Sequence, residues 1–167
     1  VGGAGAQAER ATELVAELAP ELARGALRLV LVAGVRPRLA ERYLRLAADL
    51  PAVAVVEATS FETYFRRFNR TLETVDVLWT KPSELVFYGA LGLPLLLDAA
   101  VGAHERANAD WILGAGAALE RPASGTVAAA LARWRADGSL HRAARAGLDR
   151  LPRHGADAIA AAVLDGS

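Results

Sequence analysis

The sequence predicts an α/β protein: a Rossmann-like, doubly wound parallel sheet with extra helices at the C-terminal end. Three observations carry this. Short apolar runs with β-branched residues, such as Leu27–Ala33, read as buried parallel strands. Segments between them repeat apolar residues at helical spacing. Polar clusters stand where strands run into helices, the place where open α/β sheets bind ligands. The order is βαβαβαβαβα followed by helices, which favours right-handed parallel crossovers.

Taken in order, Val1-Gly2-Gly3 reads as the tail of a first strand, and Gly2, Gly3 and Gly5 lead into a helix of about Ala8–Ala19. Its apolar stripe is Ala11, Leu14/Val15 and Leu18, and Pro20 is expected to end or kink it. Leu27–Ala33 is a strand, Gly34 and Pro37 make a turn, and Arg38–Leu50 is a helix with Leu39, Tyr43/Leu44 and Ala47 inward. Val53–Val56 is the next strand. Ser60–Thr74 follows as a helix with Ser60 near its N-cap and an aromatic stripe of Phe61, Tyr64/Phe65 and Phe68. That stripe either faces the core or, with Arg66, Arg67 and Arg70, touches a membrane surface or lipid-linked substrate.

The stretch Val75–Leu119 holds most of the polar specificity. Strands at Val77–Trp79 and Pro94–Leu97 each run into a polar helix start, and a short apolar strand closes the stretch. Helices are expected at Ser124–Trp134, with Ser124 as cap, at Leu140–Arg150, with Ser139 as cap, and at His154–Leu164.

The chain has 167 residues and is read as one domain, long enough to bury a core. Its 19 basic and 19 acidic residues balance, which argues against nucleic acid as the main partner. Without cysteine there is no disulfide or thiolate metal site. No apolar segment is long enough to span a bilayer, and no signal peptide is recognisable. The expected location is the cytoplasm, with peripheral attachment at the inner membrane face as a further expectation. The chain contains no methionine and opens on Val-Gly-Gly, so a fragment lacking an N-terminal domain is expected. Lys81 is its only lysine; the compact ammonium suits a phosphate or glycan oxygen.

Three junctions carry candidate chemistry. At Val1–Gln7, glycines before a helix either cradle phosphate or form a tight turn. In Thr80-Lys81-Pro82-Ser83-Glu84, Pro82 suits a first helical turn. Lys81 and Ser83 can meet an anionic oxygen, and Glu84 can bridge vicinal hydroxyls or simply complement the helix dipole. At Gly102-Ala103-His104-Glu105, with Asn108 one turn on, neutral and acidic groups fit a sugar or ribose. No HExxH motif occurs and no metal is expected.

These residues resemble the C-terminal, nucleotide-sugar-binding domain of GT-B-fold glycosyltransferases. The nearest is glycosyltransferase family 28, which includes the N-acetylglucosaminyl transferase of peptidoglycan synthesis and monogalactosyldiacylglycerol synthase. Val1–Gln7 is similar to the family's glycine-rich turn. Asp76–Pro94 is similar to its strand, polar turn, helix and Gly-Leu-Pro. His104–Ala109, followed by Gly114-Ala115-Gly116, resembles its Asp-Gln-x-x-Asn-Ala and Gly-x-Gly, with Glu105 standing in place of glutamine.

The resemblance implies a donor site for a UDP-sugar, used as substrate with no other cofactor. Gly3, Ala4 and Gly5 would lie by the diphosphate, and Thr59–Phe61, with Ser60 and Phe61 as candidate site residues, near the base. Glu84 would hold the ribose, with Thr80, Lys81 and Ser83 beside it. His104 and Glu105 would stand where the family's Asp-Gln meets the sugar, and Gly102 and Asn108 belong to the same candidate site. It also implies that a lipid-linked or glycan acceptor and the catalytic base belong to the missing domain, so the isolated chain is expected to be inactive. The alternatives are a non-catalytic nucleotide- or glycan-binding module of the same fold, and a nucleotide-sugar epimerase-like protein.

Overall fold

The computed structural model describes residues 6–82, 85–100 and 102–165. The expected first strand and glycine turn, with Gly3, Ala4 and Gly5, lie outside them, as do Ser83 and Glu84. The described residues form an α/β protein with short parallel strands, divided between two compact units.

The first unit joins the residues up to Asp76 with Pro122–Ala136. Its strands β1 (Leu29–Gly34) and β2 (Val53–Glu57) pair in parallel. Helices α1 (Ala6–Ala23), α2 (Pro37–Ala47), α3 (Phe61–Leu72) and, from the later segment, α6 (Val127–Ala136) belong to this unit. The core side of α1 is the expected stripe: Ala11, Leu14, Val15 and Leu18 are buried. The stripe runs on to Leu22, also buried. That explains why α1 continues through Pro20, against expectation. An internal proline costs a hydrogen bond and some strain, but Leu22 anchors the last turn and Pro20 itself is exposed.

In α2 the buried residues are Ala40 and Tyr43, whereas Leu44, expected inward, is exposed. The inward face is thus narrower than the apolar composition suggests. The α3 aromatics also divide. Phe68 is buried and stacks on Tyr64 (ring centroids 5.5 Å apart), while Phe61 and Phe65 are exposed. In α6, Val127, Ala130 and Trp134 are buried at helical spacing. Its start is capped by Thr126, whose Oγ1 accepts the Ala129 N–H (3.1 Å), rather than by Ser124. The Glu17 carboxylate on α1 accepts the Val127 N–H, so a side chain distant in sequence satisfies a second free donor at the same helix start.

The second unit joins Val77–Arg121 with the residues from Asp137 onward. Strands β3 (Leu78–Thr80), β4 (Leu95–Leu97) and β5 (Ala118–Glu120) form a parallel sheet in the order β3–β4–β5. Hydrogen bonds therefore group the strands as a two-stranded and a three-stranded sheet, where the sequence reading expects one continuous sheet. Strand pairing is a tertiary property that the apolar runs do not encode.

Helices α4 (Leu85–Ala90), α5 (Ala103–Gly114), α7 (Ser139–Arg150) and α8 (Gly155–Asp165) complete this unit. Leu95 and Leu97 pack with Ile112 of α5 and with Leu151 into one buried cluster. Helix α7 begins after Gly138, and the Ser139 N–H donates to Asp137 Oδ1 (2.8 Å). Ser139 is therefore the first helical residue rather than the cap. On α8, Ile159, Val163 and Leu164 are exposed. No helix among the described residues is long and apolar enough to cross a membrane.

Candidate functional site

The three strands of the second unit end in register. Thr80 pairs with Leu97, and Leu97 with Glu120. The ladder continues one step further: the Asp98 N–H donates to Thr80 O and the Arg121 N–H donates to Leu97 O, each at 3.1 Å. Lys81, Asp98 and Arg121 thus follow the carboxyl ends of three adjacent parallel strands. Each is the first residue beyond its strand, where open α/β sheets place ligand-binding groups.

Two further features stand at this edge. Gly102, at φ 99°, is the N-cap of α5 and supplies no side-chain cap. The first intrahelical bond runs from the Arg106 N–H to Gly102 O (3.2 Å). The N–H groups that open a helix have no intrahelical acceptor, and they carry the positive end of its dipole. His104 and Asn108 lie one turn apart on α5, and His104 is exposed. The His104 imidazole lies across Gly102, its Cε1 3.6 Å from where a glycine Cβ would stand.

Asn108 Nδ2 donates to Pro82 O at 3.1 Å. This bond joins two of the expected clusters: the turn after β3 and the first turns of α5. Thr80 stabilises the same turn by donating from Oγ1 to Lys81 O (3.2 Å). Asp98 Oδ1 accepts the Ala99 N–H (3.1 Å). The Arg121 guanidinium lies over the Trp79 indole, 5.7 Å from the ring centroid, a distance within the cation–π range.

Of the expected site residues, Thr80, Lys81, Gly102, His104, Glu105 and Asn108 belong to this unit. Ser60 and Phe61 belong to the first unit. There Ser60 Oγ accepts the Thr63 N–H (3.2 Å) as the N-cap of α3, and Phe61 is exposed. Sequence reasoning missed Asp98, Arg121 and Trp79. The signal was available, because the rule that selects Lys81 also selects the first polar residue after β4 and after β5.

Among the described residues, no group of three or more His, Asp or Glu side chains could hold a metal ion. Comparison with family models, curated proteins and solved structures gives no match.

Proposed function

We propose that the carboxyl edge of the β3–β4–β5 sheet binds the diphosphate of a nucleotide-sugar, UDP-linked in the first instance, and that the chain is the donor-side part of a GT-B-like, Rossmann-type glycosyltransferase. The observation that carries this is the Asn108–Pro82 hydrogen bond. It holds the Lys81 turn against α5, whose N-terminus has no side-chain cap. Such helix starts favour phosphate groups, and Lys81 adds a mobile positive charge. The motif resemblance adds the nucleotide-sugar to this anion chemistry.

In transfer, negative charge develops on the leaving diphosphate. Donors placed for that charge before it forms lower the barrier without reorganisation. On this reading Lys81 and the Ala103–Glu105 N–H groups take that role, Glu84 takes the ribose, and His104 with Asn108 takes the sugar. The acceptor and the base that activates it would come from another domain. Calorimetric titration with UDP, UDP-sugars and GDP tests the reading. Selective uridine-nucleotide binding supports it, and no binding of any of them at millimolar concentration sinks it.

A second reading, a binding module of the same fold without transfer chemistry, is favoured by one observation. His104 is exposed and rests on Gly102. A general base is commonly tuned by burial, and this imidazole stands in solvent. Binding of UDP-sugar without hydrolysis or transfer, in a chain that carries its own N-terminal domain, would favour this reading.

A further inference from the structure

The second unit has another concave feature, away from the carboxyl edge. Helix α7 and the amino-terminal end of β5 border an open groove of about 540 Å³. Gly116, Ala118, Ala143 and Ala146 line part of it with little side-chain bulk. Its charged lining leans positive. Arg142, Arg145 and Arg150 stand against Asp149 in the groove and Asp137 at its rim, whose Oδ1 lies 3.8 Å from Arg142 Nη2, a surplus of one positive charge in a chain whose formal total is zero. His141 adds a titratable ring.

Two of these arginines are held in place. Arg142 donates to Asp137 O and to Ser139 Oγ, both at 2.8 Å. Its Nη1 lies 3.3 Å from where a Cβ on Gly138 would stand. Arg150 donates from Nη1 to Ala115 O (3.1 Å), and the same nitrogen lies 3.5 Å from where a Cβ on Gly116 would stand. Each guanidinium is thus laid over a glycine and pinned to a carbonyl. A guanidinium carries five N–H donors in a rigid fork, so donors remain after these bonds. Arg145 pairs through Nε with Asp149 at 2.9 Å, a surface pair of small worth that a stronger anion can replace.

We propose that this groove is a binding site for a phosphate-bearing small molecule. Pinned guanidinium forks lose little freedom on binding and match phosphate oxygens in bidentate geometry. The small residues beside them admit the rest of a compact ligand. The site is separate from the proposed donor edge, because it borders the amino end of β5 and not the Thr80–Leu97–Glu120 end.

The test is NMR titration of the full chain with inorganic pyrophosphate at low ionic strength, with citrate as a polycarboxylate comparison. The arginine Nε–H signals of Arg142, Arg145 and Arg150 and the Gly116 amide should shift saturably. Arg145→Ala should weaken that response roughly tenfold, the scale of one lost charge-assisted hydrogen bond; Arg142→Ala should do so as well. Both side chains are about two-thirds exposed (69% and 67%), so neither change removes core packing; melting curves confirm this, and Arg145→Ala, which carries no cap contact, stands alone if Arg142→Ala melts early. Lys81→Ala should leave these signals unchanged, which separates this site from the donor edge. No saturable shift at these signals, an equal response to citrate, or loss on Lys81→Ala but not on Arg145→Ala would each overturn the proposal.

Discussion

Gly147 of α7 lies so close to Gly89 of α4 that a Cβ on Gly147 would overlap the Gly89 carbonyl oxygen and stand 3.0 Å from its carbonyl carbon. Both glycines are buried. The two helices meet here, with Ala143 and Leu151 one turn to either side of Gly147.

A helical Gly→Ala change in open space gains about 1 kcal/mol from propensity. At Gly147 the obstacle is backbone, which cannot rotate away, so the sign reverses. Gly147→Ala should destabilise the protein by about 2–3 kcal/mol, the usual cost of overpacking. Gly89→Ala meets the flexible end of Leu151 instead, at 2.5 Å, and should cost less. Denaturant unfolding of both variants checks the order.

The hydroxyl of Tyr43 is buried without a hydrogen-bond partner among the described residues. Burial pushes its pKa above the ordinary value of 10.0, and the nearby Arg42 and Arg36 partly oppose this. The folded state then holds the proton more tightly than the unfolded state. This contribution to stability is full below pH 10.0 and is lost as pH rises from there through the folded pKa. Tyr43→Phe should abolish that alkaline loss and leave neutral-pH stability unchanged or raised by up to about 1 kcal/mol, since an orphaned polar group is removed. Melting curves at neutral pH and above pH 10.0 read both effects.

Glu17 reaches from α1 to the Val127 N–H and so fastens the later segment of the first unit to its N-terminal helix. Glu17→Ala should cost about 1 kcal/mol, the scale of a lost helix cap. Glu17→Gln keeps an acceptor and should cost less. Amide hydrogen exchange at Val127 should quicken in the alanine variant alone.

The two kinds of aromatic on α3 should separate cleanly. Phe68→Ala empties a buried site and should cost about 3 kcal/mol. Phe61→Ala and Phe65→Ala remove exposed rings and should each change stability by less than about 0.5 kcal/mol. Equal losses at all three positions would show that the whole stripe is packed in solution.

Much of this fold was legible in the residues. The runs at Leu29–Gly34 and Val53–Glu57 are strands because apolar sequence with β-branched residues suits a parallel sheet, although only Leu31, Ala33 and Val53 are buried and the rest are half-buried or, at Ala54, exposed. The stripe of α1 was legible because a helical period leaves a plain mark. The passage of α1 through Pro20 was not, since it depends on Leu22 finding a core. The partition into two sheets was not, since pairing depends on which strands meet. Helix starts were misplaced where a cap residue competed with a near neighbour: Thr126 caps α6, and Asp137 serves α7. At the candidate site, Lys81 and Asn108 stood out by residue type, whereas Asp98 and Arg121 became visible only through the register of three strands.

The central claim is that the N-terminus of α5 and the Lys81 turn together receive a nucleotide diphosphate. Amide chemical-shift mapping during UDP titration tests it most directly. The largest, saturable shifts should fall at the Lys81 amide and at Ala103, His104 and Glu105, with affinity weakened by about 1–3 kcal/mol in Lys81→Ala. Saturable shifts confined to other residues, or an unchanged affinity in Lys81→Ala, would contradict it.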